Sequence, residues 1–472
     1  MTRICAVIAA ASTDVAKTMA ANAVAKGAEA LEFRLDALAN IPKDLSFVSG
    51  ETLSIATLRS EKDAERKDIF SRALACGATY VDIESDSVLR NEFPKDRVIC
   101  SYHDFEKTPA AFEILKIFKD LENSGIPKAA FMVQGPSDLL EIWKASLVLR
   151  QTGRPFILIG MGAAGEVTRV RAAEIGSMLT YCAVTPELAS APGQITVDDA
   201  VRLGENPIVT AITGWPLTHT RSPKMHNAAF LDAGINGRYV KIPSSTDELP
   251  LIPEVIRCYN ITGMNVTIPH KQSVIPLLAK VAETARSAGA VNTICNSDGK
   301  LSGANTDIAG IKATIATLGI NPCGAKILII GAGGAARAAA ACLSGTCAQL
   351  SITNRTREKA EALAEEFGGA AADLDSLAPE YDLIINATPA GMSGFSDSLP
   401  VPASILTPTT AVFDMVYEPE NTVLLAAARD RGVRKTAGGK QMLIEQAKAS
   451  FALWTGTIPD TAVMTKAFEE QP

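Results

Sequence analysis

Residues 326–343 read KILIIGAGGAARAAAACL. KILII has the make-up of a buried parallel strand, and the alanine-rich run after the glycines has the make-up of a helix. The order strand, glycine turn, helix sets a helix N-terminus, with its free amide N–H groups, at the end of a strand. Gly331, Gly333 and Gly334 let the backbone turn tightly and approach a pyrophosphate there. This stretch predicts a Rossmann-type α/β unit.

Working downstream, QLSITNRT (349–356), YDLIINATP (381–389) and AVFDMVY (411–417) continue as parallel strands. Asn354, Arg355 and Thr356 follow the second strand, where dinucleotide folds read the adenosine ribose. An arginine at that point suits a 2′-phosphate, so NADP is expected over NAD. The chain then runs into a long helical pattern, AGGKQMLIEQAKASFALWTG (437–456).

Working upstream, a second αβ block spans about 207–305, and DIAGIKATIATLG (307–319) reads as the helix that leaves it. Lys271 closes GMNVTIPHK, and Asp307 opens that helix. An ammonium–carboxylate pair beside a nicotinamide site suits delivery of a proton to a developing alkoxide. Thr220, Ser222, Asn265, Thr267 and Asn292 lie in the same motifs and suit hydrogen bonding to a polyhydroxylated acid. His219, His226 and His270 are read as structural, and Met415 as a core methionine, with packing in the nicotinamide pocket as the alternative.

The first 200 residues follow a different rhythm. ICAVIAA, ALEFRLD, LSIATLR, YVDIES, RVICSYHD, AAFMV, FILIGM and MLTYCAV are short apolar runs separated by helical stretches. Eight strands alternating with helices is the count of a (β/α)8 TIM barrel, with a doubly wound open sheet as the alternative. Barrel chemistry belongs at the C-terminal strand ends, and the unusual polar residues fall there. Glu32 and Arg34 share one face of a strand, Arg59 ends the third run, His103 ends the fifth, and Lys128 begins the sixth. Lys128 sits among Pro127, Ala129, Ala130 and Phe131, company that favours a neutral amine. A Schiff-base lysine, a histidine shuttle and arginine clamps (Arg34, Arg59, Arg169) fit elimination next to a ketone on a carboxylate substrate.

The bulk numbers agree with an enzyme of several domains. A chain of 472 residues favours two or three of them. A net charge of -7 offers no basic footprint, so no nucleic-acid partner is expected. No apolar stretch is long enough for a membrane span, and MTRICAVIAAAS lacks the parts of a signal peptide. Nine scattered cysteines without CxxC pairs read as mostly buried thiols of a reducing compartment, with no metal site. The expected location is cytoplasmic. TVDDAVRLGENP (196–207) reads as a linker between the two halves.

Taken in order, LEFRLDAL, TLRS, VDIES, CSYHDF, IPKAAFM, IGMGAAGEVTRV, EIGSMLTY and SAPGQ resemble a type I 3-dehydroquinate dehydratase over about residues 1–200. That resemblance implies that Lys128 forms an imine with the substrate ketone and that His103 moves the proton. It further implies that Glu32, Arg34, Arg59, Arg169, Ser190 and Gln194 bind substrate. Asp63 falls at the offset of the carboxylate expected to orient His103, with Glu61 and Glu65 as neighbours. Pro127 removes a strand donor, so the sixth strand is expected to begin at or after it.

GWPLTHTRSPKMHNAAF, GMNVTIPHK, AGAVNTI, GANTDIAG, GAGGAARA, NRT, INATPAGM, FDMVYEP and GGKQMLIEQA resemble shikimate dehydrogenase over about 207–456. By that resemblance Lys271 and Asp307 are the catalytic pair, and Thr220, Ser222, Asn265, Thr267, Asn292 and Gln446 hold substrate. The expected domains are 1–200 (barrel), 207–305 (substrate-binding), 306–438 (NADP-binding Rossmann) and 439–472 (a helical segment returning to the substrate domain). The expected activity is bifunctional: 3-dehydroquinate to 3-dehydroshikimate, then NADPH-dependent reduction to shikimate. The rivals are a quinate dehydrogenase carrying a retained barrel, and a barrel that serves only as a scaffold. Oligomeric state is not legible in the sequence.

Overall fold

A computed structural model describes residues 2–60, 63–191, 193–217 and 220–470. Glu61 and His219, both singled out above, lie outside the described residues. The chain forms two compact units, Met1–Ala211 with Asn236–Ile261, and Ile212–Ile235 with Thr262–Pro472.

The first unit begins β1 (Arg3–Ile8), α1 (Thr13–Ala25), β2 (Ala30–Arg34), β3 (Leu53–Thr57), α2 (Asp63–Ala75) and β4 (Tyr80–Glu84). It continues β5 (Val98–Asp104), α3 (Ala111–Leu121), β6 (Ile126–Met132), α4 (Pro136–Gln151) and β7 (Ile157–Met161). Then come α5 (Gly162–Val170), α6 (Ala172–Ile175), β8 (Leu179–Ala183) and α7 (Val197–Leu203). The eight strands form one sheet in the order β7-β6-β5-β4-β3-β2-β1-β8, and each named pairing is parallel. Between β7 and β8 the backbone is joined at the strand starts, where the Met178 N–H donates to Phe156 O at 2.7 Å. This is the near-closed barrel the alternation predicts. Only 3₁₀ turns bridge β2 to β3 and β4 to β5.

Two expectations are corrected. β6 starts at Ile126, one residue before Pro127, because Pro127 still offers its carbonyl to the ladder. The stretch read as a linker holds α7, whose Val197 and Leu203 are buried against the barrel. Its polar VDDAVRL composition hid an amphipathic helix too short for a clear period.

Strand parity places the chemistry. Cys5, Val7, Ala30, Ile55, Ile99, Ala130, Ile157, Ile159, Leu179 and Tyr181 pack together inside the barrel. Alternation from these positions brings Glu32, Arg34, Asp82, Glu84, Ser101, His103 and Lys128 to the same interior. The residues of opposite parity, such as Phe33, Val81 and Cys100, pack outward against helices. Each fully buried Ile or Phe contributes about 1.5–3 kcal/mol, which holds polar neighbours in a lumen they would otherwise leave.

β9 (Ile208–Thr213), β10 (Gly237–Lys241) and α9 (Ile252–Cys258) follow, with α8 (Ser222–Asp232) between the two strands. The second unit continues β11 (Ile261–Val266), β12 (Lys280–Val281), α10 (Glu283–Ala288), β13 (Thr293–Ser297), β14 (Lys300–Ala304) and α11 (Asp307–Thr317). β13 pairs antiparallel with both β11 and β14, and β12 pairs parallel with β14.

Then come β15 (Lys326–Ile330), α12 (Gly334–Leu343), β16 (Gln349–Thr353), α13 (Arg357–Phe367), β17 (Ala370–Ala371) and β18 (Leu383–Asn386). The chain ends β19 (Ala411–Asp414), α14 (Val423–Asp430), β20 (Lys435–Ala437), α15 (Gly439–Thr455) and α16 (Thr461–Glu469). This sheet is parallel throughout, in the order β17-β16-β15-β18-β19-β20. Counted from β15 that is 3-2-1-4-5-6, the doubly wound dinucleotide order.

Candidate active sites

In the barrel, Asp82 is the centre of charge and is fully buried. One of its oxygens accepts from Lys128 Nζ at 2.8 Å. The other accepts from Arg59 at 2.8 Å and from the Ser101 hydroxyl at 2.6 Å. Glu32 lies 3.8 Å from Lys128 Nζ and accepts from the Thr57 hydroxyl at 2.9 Å. The Tyr181 ring covers the ammonium from the other side, 4.2 Å to its centroid. Burial pushes the Asp82 carboxyl up, but Arg59 and then Lys128 outweigh it and hold Asp82 well below the usual carboxylate range. A cavity of about 520 Å³ opens above this cluster. It is lined by Glu32, Arg34, Arg59, His103, Lys128, Arg169, Ser190 and Gln194, so every barrel residue expected at the site meets there. Its volume suits a small-molecule substrate.

The arginines differ in their freedom. Arg34 is engaged at two points by Asp36, at 3.0 and 2.6 Å. Arg59 bridges Asp82 and Glu84. Arg169 is buried, and among the described residues its only hydrogen bond is to Tyr181 O at 3.2 Å, with Nε left without a partner. Burial pushes its guanidinium down to about 10, with Cys182 and then Glu166 opposing. It is thus a buried cation positioned to gain from an incoming carboxylate. Ser190 and Gln194 hydrogen-bond each other at the rim, at 2.7 and 3.1 Å.

His103 stacks on Phe105, with ring centroids 5.8 Å apart. Burial first, then the Lys128 charge, push its imidazole down to about 3, with Asp82 opposing. The free protein therefore holds His103 as a neutral base, against an ordinary value of about 6.5. The unfolded chain binds this proton at higher pH than the fold does. The stability His103 contributes is thus complete above about pH 6.5 and is lost as pH falls towards about 3. Side-chain ¹⁵N NMR should show His103 neutral at about pH 5, where a free histidine is mostly charged. An imidazolium signal there would contradict this picture.

The carboxylate expected to orient His103 is corrected. Asp63 faces Arg66 at 3.3 Å and Ser87 at 3.4 Å, and Glu65 is exposed on α2. Asp82 on β4 is the carboxylate whose charge reaches the imidazole. Asp82, Ser101 and Tyr181 were missed by sequence reading. The available signal was parity: Asp82 and Ser101 are polar residues on the inward face of apolar strands.

In the second unit, Lys271 Nζ pairs with Asp307 at 2.6 Å. Asn292 Nδ2 donates to the other Asp307 oxygen at 2.8 Å and to Thr306 at 2.9 Å. Asn292 Oδ1 accepts from the Thr306 N–H at 2.7 Å, which fixes the start of α11 and hence Asp307. Asn265 donates to Ser450 at 3.0 Å and to Thr293 at 3.2 Å, and Asn292 lies 3.5 Å from Gln446. Lys271, Asp307, Asn292, Asn265 and Gln446 thus share one network, with Thr293, Thr306 and Ser450 as members the sequence did not announce. Thr267 follows β11, and its N–H donates to Thr213 O at 2.9 Å. Thr220 and Ser222 pair with each other at the start of α8, at 3.3 Å, outside that network among the described residues. His270 and His226 are fully buried, and His226 packs on Trp454 with ring centroids 5.4 Å apart. Of the nine free cysteines only Cys5, Cys100 and Cys182 are buried, fewer than expected.

The glycine turn fits a dinucleotide. Gly331 has φ +116°, and a Cβ there would meet Ala387 O at 3.0 Å. Gly333 caps α12, and the space a Cβ would enter is open. Asn354 caps the next turn through Thr356 O at 2.9 Å. Arg355 is exposed and makes no hydrogen bond or ion pair among the described residues, which leaves its charge for a phosphate.

Comparison with known proteins follows the same division. The type I 3-dehydroquinase family model matches residues 4–204. The shikimate dehydrogenase substrate binding domain matches 212–294, the shikimate/quinate 5-dehydrogenase model 316–396, and the shikimate 5′-dehydrogenase C-terminal domain 439–467. The chain is 38% identical over 277 residues to a shikimate dehydrogenase (NADP(+)) of Carboxydothermus hydrogenoformans, covering 57% of this chain and 98% of that one. A crystal structure of shikimate 5-dehydrogenase from Thermus thermophilus, with NADP(H) and shikimate, is 36% identical with a TM-score of 0.52. It covers 55% of this chain and 98% of that one. The chloroplastic bifunctional 3-dehydroquinate dehydratase/shikimate dehydrogenase of Arabidopsis thaliana is 31% identical over 499 residues, covering 96% of this chain and 82% of the relative. With both halves matched in one order along one polypeptide, the chain belongs to the bifunctional type I 3-dehydroquinate dehydratase/shikimate dehydrogenase family.

Proposed function

We propose how the residues divide the two reactions. The observation that carries the first half is the enclosed Lys128–Asp82 pair, with Lys128 lining the same cavity as Arg169, a buried guanidinium with no carboxylate ion pair among the described residues. The carboxylate of 3-dehydroquinate binds Arg169, with Ser190 and Gln194 closing over it. Lys128 Nζ, its proton passed on within the cluster, attacks the C3 ketone, and loss of water leaves an imine. The iminium acidifies C2. Neutral His103 takes that proton and returns it to the departing C1 hydroxyl, and hydrolysis frees Lys128. Glu32, Arg34 and Arg59 hold hydroxyls and set the field around the ammonium.

In the second half, Gly331, Gly333, Gly334, Asn354, Arg355 and Thr356 hold NADP, which supplies the hydride when bound. Lys271, held by its ion pair with Asp307, delivers the proton to the oxygen of 3-dehydroshikimate as its charge develops. Thr220, Ser222, Asn265, Thr267, Asn292 and Gln446 read the ring hydroxyls and carboxylate.

We assign residues 1–200 to the dehydratase, 207–305 to substrate binding, 306–438 to the Rossmann domain and 439–472 to the returning helices. No helix among the described residues is long and apolar enough to cross a membrane. The nine free thiols favour a reducing compartment, and the cytoplasm is our assignment. A net charge of -7 offers no basic footprint for nucleic acid, and the anionic substrates rely on local cations such as Arg169.

The decisive experiment is a coupled assay that starts from 3-dehydroquinate and NADPH. Oxidation of NADPH with accumulation of shikimate is the expected result. Turnover of quinate with NAD but not of shikimate with NADP, or no dehydration of 3-dehydroquinate, would overturn the respective half.

A further inference from the structure

Residues 236–261 fall within the stretch that matches the dehydrogenase substrate-binding domain, yet they belong to the compact unit of the barrel. Arg238 on β10 donates Nε to Glu166 on α5 at 2.6 Å and NH1 to Asp199 on α7 at 3.1 Å. Arg171, just past α5, donates to Tyr259 O at 3.0 Å and Asn260 O at 2.9 Å. Glu248 accepts from the Ser137 N–H at 3.2 Å in the first turn of α4.

Helix α5 also carries Arg169. Its inner face is fixed on β7, since Thr168 Oγ1 accepts from the Gly160 N–H at 2.8 Å and donates to Gly165 O at 2.7 Å. Glu166 stands three residues before Arg169, so the two are neighbours on one helix surface. They form no ion pair, and Glu166 instead points its carboxylate at Arg238. A carboxylate released at that spot would compete with any incoming carboxylate for the same guanidinium.

We propose that Arg238 is a positioning residue for the dehydratase: by holding Glu166, it keeps Arg169 free for the substrate carboxylate. The proposal rests on the assignment of Arg169 made above. A strand whose sequence belongs to the dehydrogenase half thereby sets substrate affinity in the barrel.

The test uses the full-length protein. Arg238→Ala should raise the KM for 3-dehydroquinate by roughly tenfold, leave kcat within about twofold, and leave shikimate dehydrogenase activity unchanged. Adding Glu166→Gln to Arg238→Ala should bring KM back to within about threefold of the parent. That rescue separates competition from anchoring, because a structural anchor stays broken in the double variant. Arg238→Gln serves if the alanine form is insoluble. An unchanged KM in the single variant, or a double variant as impaired as the single, overturns the proposal. A wild-type KM in Arg169→Ala would instead strike the assignment of Arg169, so the two failures are distinguishable.

Discussion

Lys128→Ala should abolish 3-dehydroquinate dehydration, by on the order of 10⁴-fold or more in kcat, while shikimate dehydrogenase activity persists. The loss has two sources. Without Nζ there is no imine, so the C2 proton keeps the acidity it has beside an ordinary ketone. Asp82 also loses one of its two cationic partners and is left with Arg59 and Ser101. Removing one partner of a buried ion pair costs about 3–5 kcal/mol, and Arg59 offsets part of that. Lys128→Met keeps the volume of the side chain and guards against a folding defect. Lys271 and Asp307 lie in the other compact unit, so their activity reports on the integrity of the chain. Borohydride reduction with 3-dehydroquinate should place a stable adduct on the peptide bearing Lys128 in the wild type and none in either variant. An adduct elsewhere, or dehydration that survives Lys128→Met, would rule out the imine at this lysine.

Much of the fold was legible because both halves obey simple periods. The eight barrel strands are short, apolar and evenly separated, and the structure places a strand in each run. KILIIGAGGAARA leaves little freedom, since a residue with φ +116° followed by an open helix N-terminus demands glycine. What escaped was α7, read as a linker. Seven residues with three acidic or basic side chains in one turn and a half carry too little pattern, and only the buried Val197 and Leu203 reveal the helix.

The site was legible to the extent that its residues sit in recognisable motifs. Lys128, His103 and Arg169 come from β6, β5 and α5, and their meeting at one cavity depends on barrel closure. Asp82 escapes notice because an acidic residue in YVDIE reads as a solvent-facing charge until strand parity turns it inward. The error over Asp63 has the same origin. Offset along the chain suggested a partner for His103, whereas α2 turns that carboxylate toward Arg66 and Ser87. In the second unit the Lys271–Asp307 pair was foreseen, but not the Thr293–Thr306–Ser450 hydroxyls that carry the network to α15. Hydroxyl residues are too common for sequence to single them out.

Asp307→Asn and Lys271→Ala should each lower kcat for shikimate oxidation by about 10²–10⁴-fold while dehydration of 3-dehydroquinate continues. Asp307→Asn is nearly isosteric and can keep a hydrogen bond from Asn292, so the start of α11 should hold. What it removes is the negative charge 2.6 Å from Lys271 Nζ, which holds the ammonium in place. Lys271→Ala removes the proton carrier and leaves the buried Asp307 with Asn292. Because the two groups act as one unit, the double variant should be little worse than the weaker single one. The KM for shikimate should change less than kcat, since ring hydroxyls are read by Asn265, Asn292 and their neighbours. A double variant whose losses multiply would mean that the two residues act separately. A wild-type kcat in either single variant would remove this pair from the proton transfer altogether.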